Sequence, residues 1–139
     1  GGPAARRAAA AHAGVRGMKA SAFRLFVHDL AAARQFYTQQ LGLPLRAENM
    51  AQGWLAFEVG GPQLVVERVD PDAPEDEQVL VGRFTGLSLA VDDIHSACAR
   101  MRAAGVHFNE APERQAWGGW LATFEDPAGN SLQLVEHPR

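Results

Sequence analysis

The sequence predicts an α+β fold built from two βαβββ modules in one chain. Three observations carry that expectation. The stretch 120–136, WLATFEDPAGNSLQLVE, has nearly the form of an earlier stretch, 54–67, WLAFEVGGPQLVVE. Each follows a glycine (Gly53, Gly119), opens Trp-Leu-Ala, turns at Gly and Pro, and thirteen residues after its Trp places Glu67 or Gln133. Such self-similarity is the signature of a repeated structural unit. Upstream, Asp29 and Asp93 each sit between a strand-like and a helix-like segment, 25 and 27 residues before Trp54 and Trp120. Between the copies lies DPDAPEDEQ, residues 70–78, with two prolines and five acidic residues and no large apolar group. It reads as a solvated linker between halves.

Composition sets the outer bounds. The chain has 139 residues, 47% apolar and 21% charged, as expected of an ordinary globular domain with one real core. The net charge of −3 comes without a basic stripe, so a nucleic-acid partner is not expected. The single cysteine, Cys98, rules out an intrachain disulfide and fits a reducing cytoplasm. No apolar run approaches the roughly 20 residues that span a bilayer, so no membrane partner is expected.

Residues 1–19, GGPAARRAAAAHAGVRGMK, lack large apolar residues and read as a flexible N-terminal extension, with Met18 the natural start. Residues 8–13 have the composition for a helical turn or two, and no apolar stretch suits secretion. The domain is expected over 20–139: module one at 20–69, the acidic linker at 70–82 and module two at 83–137.

Residues 21–27, SAFRLFV, alternate as a strand, with Phe23, Leu25 and Val27 on one face and Ala22, Arg24 and Phe26 on the other. Asp29 caps a helix that runs through Leu41 and stops at Gly42. A weak strand at 44–50 precedes a hairpin at 54–59 and 63–69. The second copy repeats the order: strand 87–91, cap Asp93, helix 94–104 ending at Gly105, short strand 106–109, loop 110–118, then the final hairpin. Its turn, Asp126-Pro127-Ala128-Gly129-Asn130, uses Pro to fix φ and Gly and Asn to tolerate positive φ.

Phe36-Tyr37, Leu41-Gly42-Leu43 and the run from Phe124 to Leu134, FEDPAGNSLQL, resemble the vicinal oxygen chelate superfamily over about residues 20–137. That group includes glyoxalase I, extradiol dioxygenases, fosfomycin-resistance enzymes and bleomycin-resistance proteins. The resemblance implies curled mixed sheets around a shared cavity. In its metalloenzymes a divalent ion is held by one residue from the first and one from the last strand of each module. Carried over by spacing, those positions are Ala22, Glu67, Gly86 and Gln133. Ala and Gly offer no donor to a transition metal, so neither metal nor other cofactor is expected.

With no metal, strand alternation sorts the residues. One face is apolar and is expected to be core: Phe23, Leu25, Val27, Leu64, Val66, Leu87, Leu89, Val91, Leu132 and Leu134. The other is mixed, as ligand pockets are, and nominates Arg24, Phe26, Glu67, Ser88 and Gln133 as ligand-binding residues. Arg24 either pairs with Glu67 or awaits an anionic ligand. Trp117, in a Gly-rich loop, is the candidate cavity lip. Trp54 and Trp120 are expected to pack in the core. The five histidines form no metal-binding pattern, and Cys98 reads as a buried, inert thiol.

The function expected is small-molecule binding between the modules without catalytic metal, in a homodimer, since family members commonly pair modules within or between chains and C2 pairing is the default. The alternative is a metal-dependent lyase or dioxygenase of the same group, with Glu67, Gln133 and a displaced ligand such as His28 or His137 on the ion.

Overall fold

A computed structural model describes residues 16–139. The helical turn expected at 8–13, and His12, lie outside the described residues.

Strand β1, Ala22–Val27, ends two residues before Asp29. The Asp29 carboxylate accepts the Ala32 N–H at 3.0 Å and starts α1, Leu30–Gln35. From Phe36 to Gln40 the helix widens to π geometry, and Leu41 N–H bonds Phe36 O at 3.0 Å. Thr38 contributes to this: its hydroxyl donates to the Arg34 carbonyl at 2.6 Å and competes for an acceptor of the α ladder. Strands β2, Leu45–Asn49, β3, Trp54–Phe57, and β4, Gln63–Arg68, complete module one. The sheet order is β1-β4-β3-β2, with β1 and β4 parallel.

The linker carries one turn of helix, α2, Glu75–Gln78. Glu75, Asp76 and Glu77 place negative charge on its first turn, where the helix dipole favours it. Gln78 Nε2 donates to the carbonyls of Asp70, Pro71 and Ala73 and ties the turn to what precedes it.

Module two follows as β5, Phe84–Ala90, α3, Ile94–Ala103, β6, His107–Phe108, β7, Glu113–Arg114, β8, Trp120–Glu125, and β9, Ser131–Glu136. The strand order is β5-β9-β8-β6, and β7, inside the expected loop, pairs with β8. Asp93 accepts the N–H groups of His95 and Ser96, and Glu136 accepts that of Ile94, so α3 has two capping carboxylates. β5 begins earlier than its apolar pattern suggested because it carries a bulge. Its register to β9 shifts between Phe84 and Ser88. Thr85 holds the bulge: its hydroxyl donates to Ser131 O at 2.8 Å and accepts Leu87 N–H at 3.1 Å.

Each sheet buries one face in a single common core that includes Leu25, Phe57, Leu64, Phe124, Leu132 and Leu134. Phe36 meets Phe124 at 6.5 Å and Tyr37 meets Phe57 at 5.6 Å, so the first helix seals both halves. Three residues of the apolar strand face depart from it, apart from Trp54 and Trp120, which are half-buried. Phe23, at the open start of β1, is 44% exposed. Leu89 and Val91 are half-buried because they border a cavity between the modules. Among the described residues, no helix is long and apolar enough to cross a membrane.

Candidate functional site

The outward faces of β1 and β4 carry the candidate site of module one. Glu67 pairs in register with Phe26 on one side and Trp54 on the other. Residues paired directly across strands share a face. The result is a row Phe26–Glu67–Trp54, a carboxylate between two aromatic rings. Arg24, two residues before Phe26, closes over this row. Its guanidinium lies 5.3 Å from the Phe26 ring centroid and donates to both Glu67 oxygens, at 2.8 and 2.7 Å. The bidentate bond and the Glu67 charge raise the Arg24 pKa. The Arg24 side chain is 58% exposed and that of Glu67 27%, so the pair is a solvent-facing clamp rather than a buried ion pair.

In module two, the row Ser88–Gln133–Thr123 crosses β5, β9 and β8. Gln133 Nε2 donates to Thr123 Oγ1 at 3.2 Å. Trp117 stands apart. It tips the tight turn between β7 and β8, with its ring laid against Gly119 and 6.1 Å from His137. Trp120 pairs with Glu136, three rungs from Gln133, or about 10 Å along the strand. The six residues proposed from sequence thus fall into three groups: Arg24, Phe26 and Glu67 together; Ser88 and Gln133 together; Trp117 alone.

Trp54, expected in the core, is half-buried and flanks Glu67. Cross-strand register, which the alternation of one strand does not disclose, is the signal that finds it.

The same register revises the repeat. Asp29 and Asp93 make Arg24 the counterpart of Ser88. Arg24 pairs with Val65, whereas Ser88 pairs with Gln133. Val65, not Glu67, therefore occupies in the first sheet the place that Gln133 has in the second, and Glu67 corresponds to Val135. The thirteen-residue interval is divided differently in the two copies, because β8 runs two residues farther past its Trp before turning. A two-residue shift preserves the face, so Glu67 still points outward.

The remaining corners are Ala22, which pairs with Gln63, and Gly86, which lies in the bulge. Gly86 has φ +74°, a left-handed conformation that a residue with Cβ adopts only under strain. Neither corner offers a donor atom. Among the described residues, no three His, Cys, Asp or Glu side chains gather around one point where a metal ion fits. This donor set does not fit the divalent ion of the group's metalloenzymes. His28 is exposed and its Nδ1–H donates to the Val69 carbonyl at 2.9 Å. His137 is exposed beside Trp117. Cys98 is buried, and burial pushes its thiol pKa up.

The fold and these faces define a class, and comparison with known proteins gives it a name. The model of the Glyoxalase/Bleomycin resistance protein/Dioxygenase superfamily matches residues 19–134, and the chain belongs to that family. It is 27% identical over 128 residues to protein YurT of Bacillus subtilis strain 168, covering 86% of this chain and 99% of that one. A superfamily member from Sphaerobacter thermophilus superposes with a TM-score of 0.71 at 30% identity, covering 86% of this chain and 98% of the other. TnmS3, an antibiotic binding protein from Streptomyces sp. CB03234, superposes with a TM-score of 0.66 at 31% identity, covering 86% of this chain and 96% of its own.

Proposed function

We propose that this protein binds a small organic molecule on its outward sheet faces, without a catalytic metal, and that a second copy completes the site in a cytoplasmic homodimer. The row Phe26–Glu67–Trp54 under the Arg24 clamp carries the reading. Two aromatic rings flanking a carboxylate suit a flat ligand laid across the strands, and the guanidinium and carboxylate supply one hydrogen-bonding group of each sign. The polar row Ser88–Gln133–Thr123 supplies further donors and acceptors, while Trp117, apart from both rows, is left out of the site. Likeness to an antibiotic binding protein over most of both chains supports binding as the role.

Ala22, Val65 and Gly86 support the metal-free half of the proposal, since none has a donor side chain. The outward faces support the dimer: Arg24, Ser88 and Thr123 lie exposed on sheets whose other faces pack into the common core. A single buried thiol suits a reducing compartment.

The test is a thermal-shift screen of aromatic antibiotics and related planar compounds, repeated on Arg24→Ala and Gln133→Ala. A hit must stabilise the protein, and both substitutions are expected to weaken it. Hits that both variants bind unchanged would place the ligand elsewhere and end this reading of the faces.

A further inference from the structure

The two modules repeat one order of elements at a spacing of 64 residues, from Asp29 to Asp93, and the contacts on the two sides of their junction differ. Gln40 and Ala104 are separated by the same 64 positions as Asp29 and Asp93, and they touch: Gln40 Nε2 donates to Ala104 O at 2.9 Å. The ends of the first and third helices therefore meet at the junction. On one side the turn of the last hairpin plugs the junction. Tyr37 of the first helix meets Asp126, and Asn130 Nδ2 donates to Phe26 O at 2.9 Å, on the edge of β1 that also bridges to Val81.

On the other side the same spacing turns Tyr37 into Met101 and Phe26 into Ala90. The facing turn is Val59-Gly60-Gly61-Pro62, with no side chain that replaces Asp126 or Asn130. The Glu58 carboxylate is turned back to Gly60 N–H and Arg46. Met101, Ala90 and Val59 all line a cavity of about 690 Å³. The volume lies within the range of small-molecule sites, roughly 300–1,000 Å³. It is the space that an absent second plug leaves.

Its chemistry is directional. Leu41, Leu43 and Leu134 make the wall apolar, and no acidic residue lines it. Arg100 brings the one formal charge. Among the described residues its guanidinium has no ion pair or hydrogen bond. Val91 N–H bonds Val135 O, so parallel alternation turns the backbone groups of Ser88 and Ala90 away from β9, toward the free edge of β5.

We propose that this cavity is a second binding site, for a small monoanion with an apolar body, whose carboxylate meets Arg100 while its hydrocarbon fills the space under Met101 and Val59. Leu134 has the strand parity opposite to Gln133, so the cavity opens on the helix side of the second sheet, and with the outward-face row it shares only Ser88, at the edge of β5.

Calorimetric titration of the full chain with decanoate, and with decanol as its neutral counterpart, tests this. Decanoate is expected to bind at one site per chain, and decanol to bind roughly tenfold or more weaker. Arg100→Gln should bring decanoate to the level of decanol. Val59→Trp should block both, with Leu43→Trp as a second blocking variant if the first melts early. Arg24→Ala should leave decanoate binding unchanged. No decanoate binding, equal binding of decanol, binding that survives both tryptophan variants, or loss on Arg24→Ala would each overturn the proposal.

Discussion

The Tyr37 hydroxyl donates to Asp126 Oδ2 at 2.8 Å, joining the first helix of module one to the last turn of module two. Both groups are buried, Tyr37 fully and Asp126 to 5% exposure. Burial, then the Asp126 charge, raises the Tyr37 pKa far above its ordinary 10.0. Folded Tyr37 keeps its proton where an unfolded tyrosine ionises. This raised pKa favours the fold fully below pH about 10, and that contribution is lost as pH climbs further.

Tyr37→Phe removes one hydrogen bond to a carboxylate and should cost about 1.5–3 kcal/mol at neutral pH by urea titration. The same substitution should flatten the alkaline loss of stability above pH 10. Tyr37 is the only tyrosine of the chain, so its tyrosinate absorbance reads this group alone. Tyrosinate appearing near pH 10 while the protein stays folded would show that the bond does not hold the proton.

Asn130 is the other half of the plug, and its loss should be worse. Its Oδ1 accepts Gly82 and Arg83 N–H, at 2.9 and 3.2 Å, and its Nδ2 donates to Phe26 O and Asp126. The side chain is fully buried, so Asn130→Ala strands several polar groups at once. The expected cost is at least about 3 kcal/mol. A melting temperature within a few degrees of the parent protein would mean that water replaces the amide without loss.

Arg24 and Glu67 invert that expectation. Half in solvent, the clamp is worth at most about 1 kcal/mol, not the roughly 3–5 of a buried pair. Arg24→Ala should barely move the melting curve, while ligand affinity falls. A large loss of stability in that variant would mark the pair as structural.

How far the sequence discloses this depends on the level asked. Alternation placed Leu25, Val27, Leu64, Val66, Leu132 and Leu134 in the core, because strand parity is a local property. Asp29 and Asp93 disclosed both helix starts for the same reason. Register was not legible. Gly86 looks like a plain strand residue until the bulge appears, and the Trp-to-Glu67 and Trp-to-Gln133 intervals match in length while turning at different points. Turn geometry sets register, and the turns of the two copies differ. Leu89 and Val91 carry core chemistry but border a space that exists only once the modules meet.

The proposed assembly rests on the exposed outward faces. Sedimentation at micromolar concentration is expected to give a dimer. Tryptophan fluorescence should respond on dilution through Trp54 if the row it shares with Glu67 is covered. A monomer at all accessible concentrations would overturn the proposal that a second copy completes the site.

Metal silence is the sharpest expectation, and the register makes it stricter. If Glu67 were a corner ligand, one carboxylate and the Gln133 amide would remain to hold an ion. With Val65 in that place, only the amide remains. Protein purified without chelator should carry no stoichiometric divalent metal by elemental analysis. Added Ni²⁺, Mn²⁺ or Fe²⁺ should not raise the melting temperature, as a ligand selective for the folded state must. Putting a donor back is obstructed by the backbone. At φ +74° a side chain on residue 86 meets the left-handed penalty of about 1–2 kcal/mol, even though no atom lies within 4 Å of the added Cβ. Gly86→His should therefore lose about that much stability, and Gly86→Ala nearly the same, because conformation and not crowding sets the cost. If Gly86→His were neutral and bound Ni²⁺, the bulge would be adaptable, and the absence of a donor there would have no structural cause.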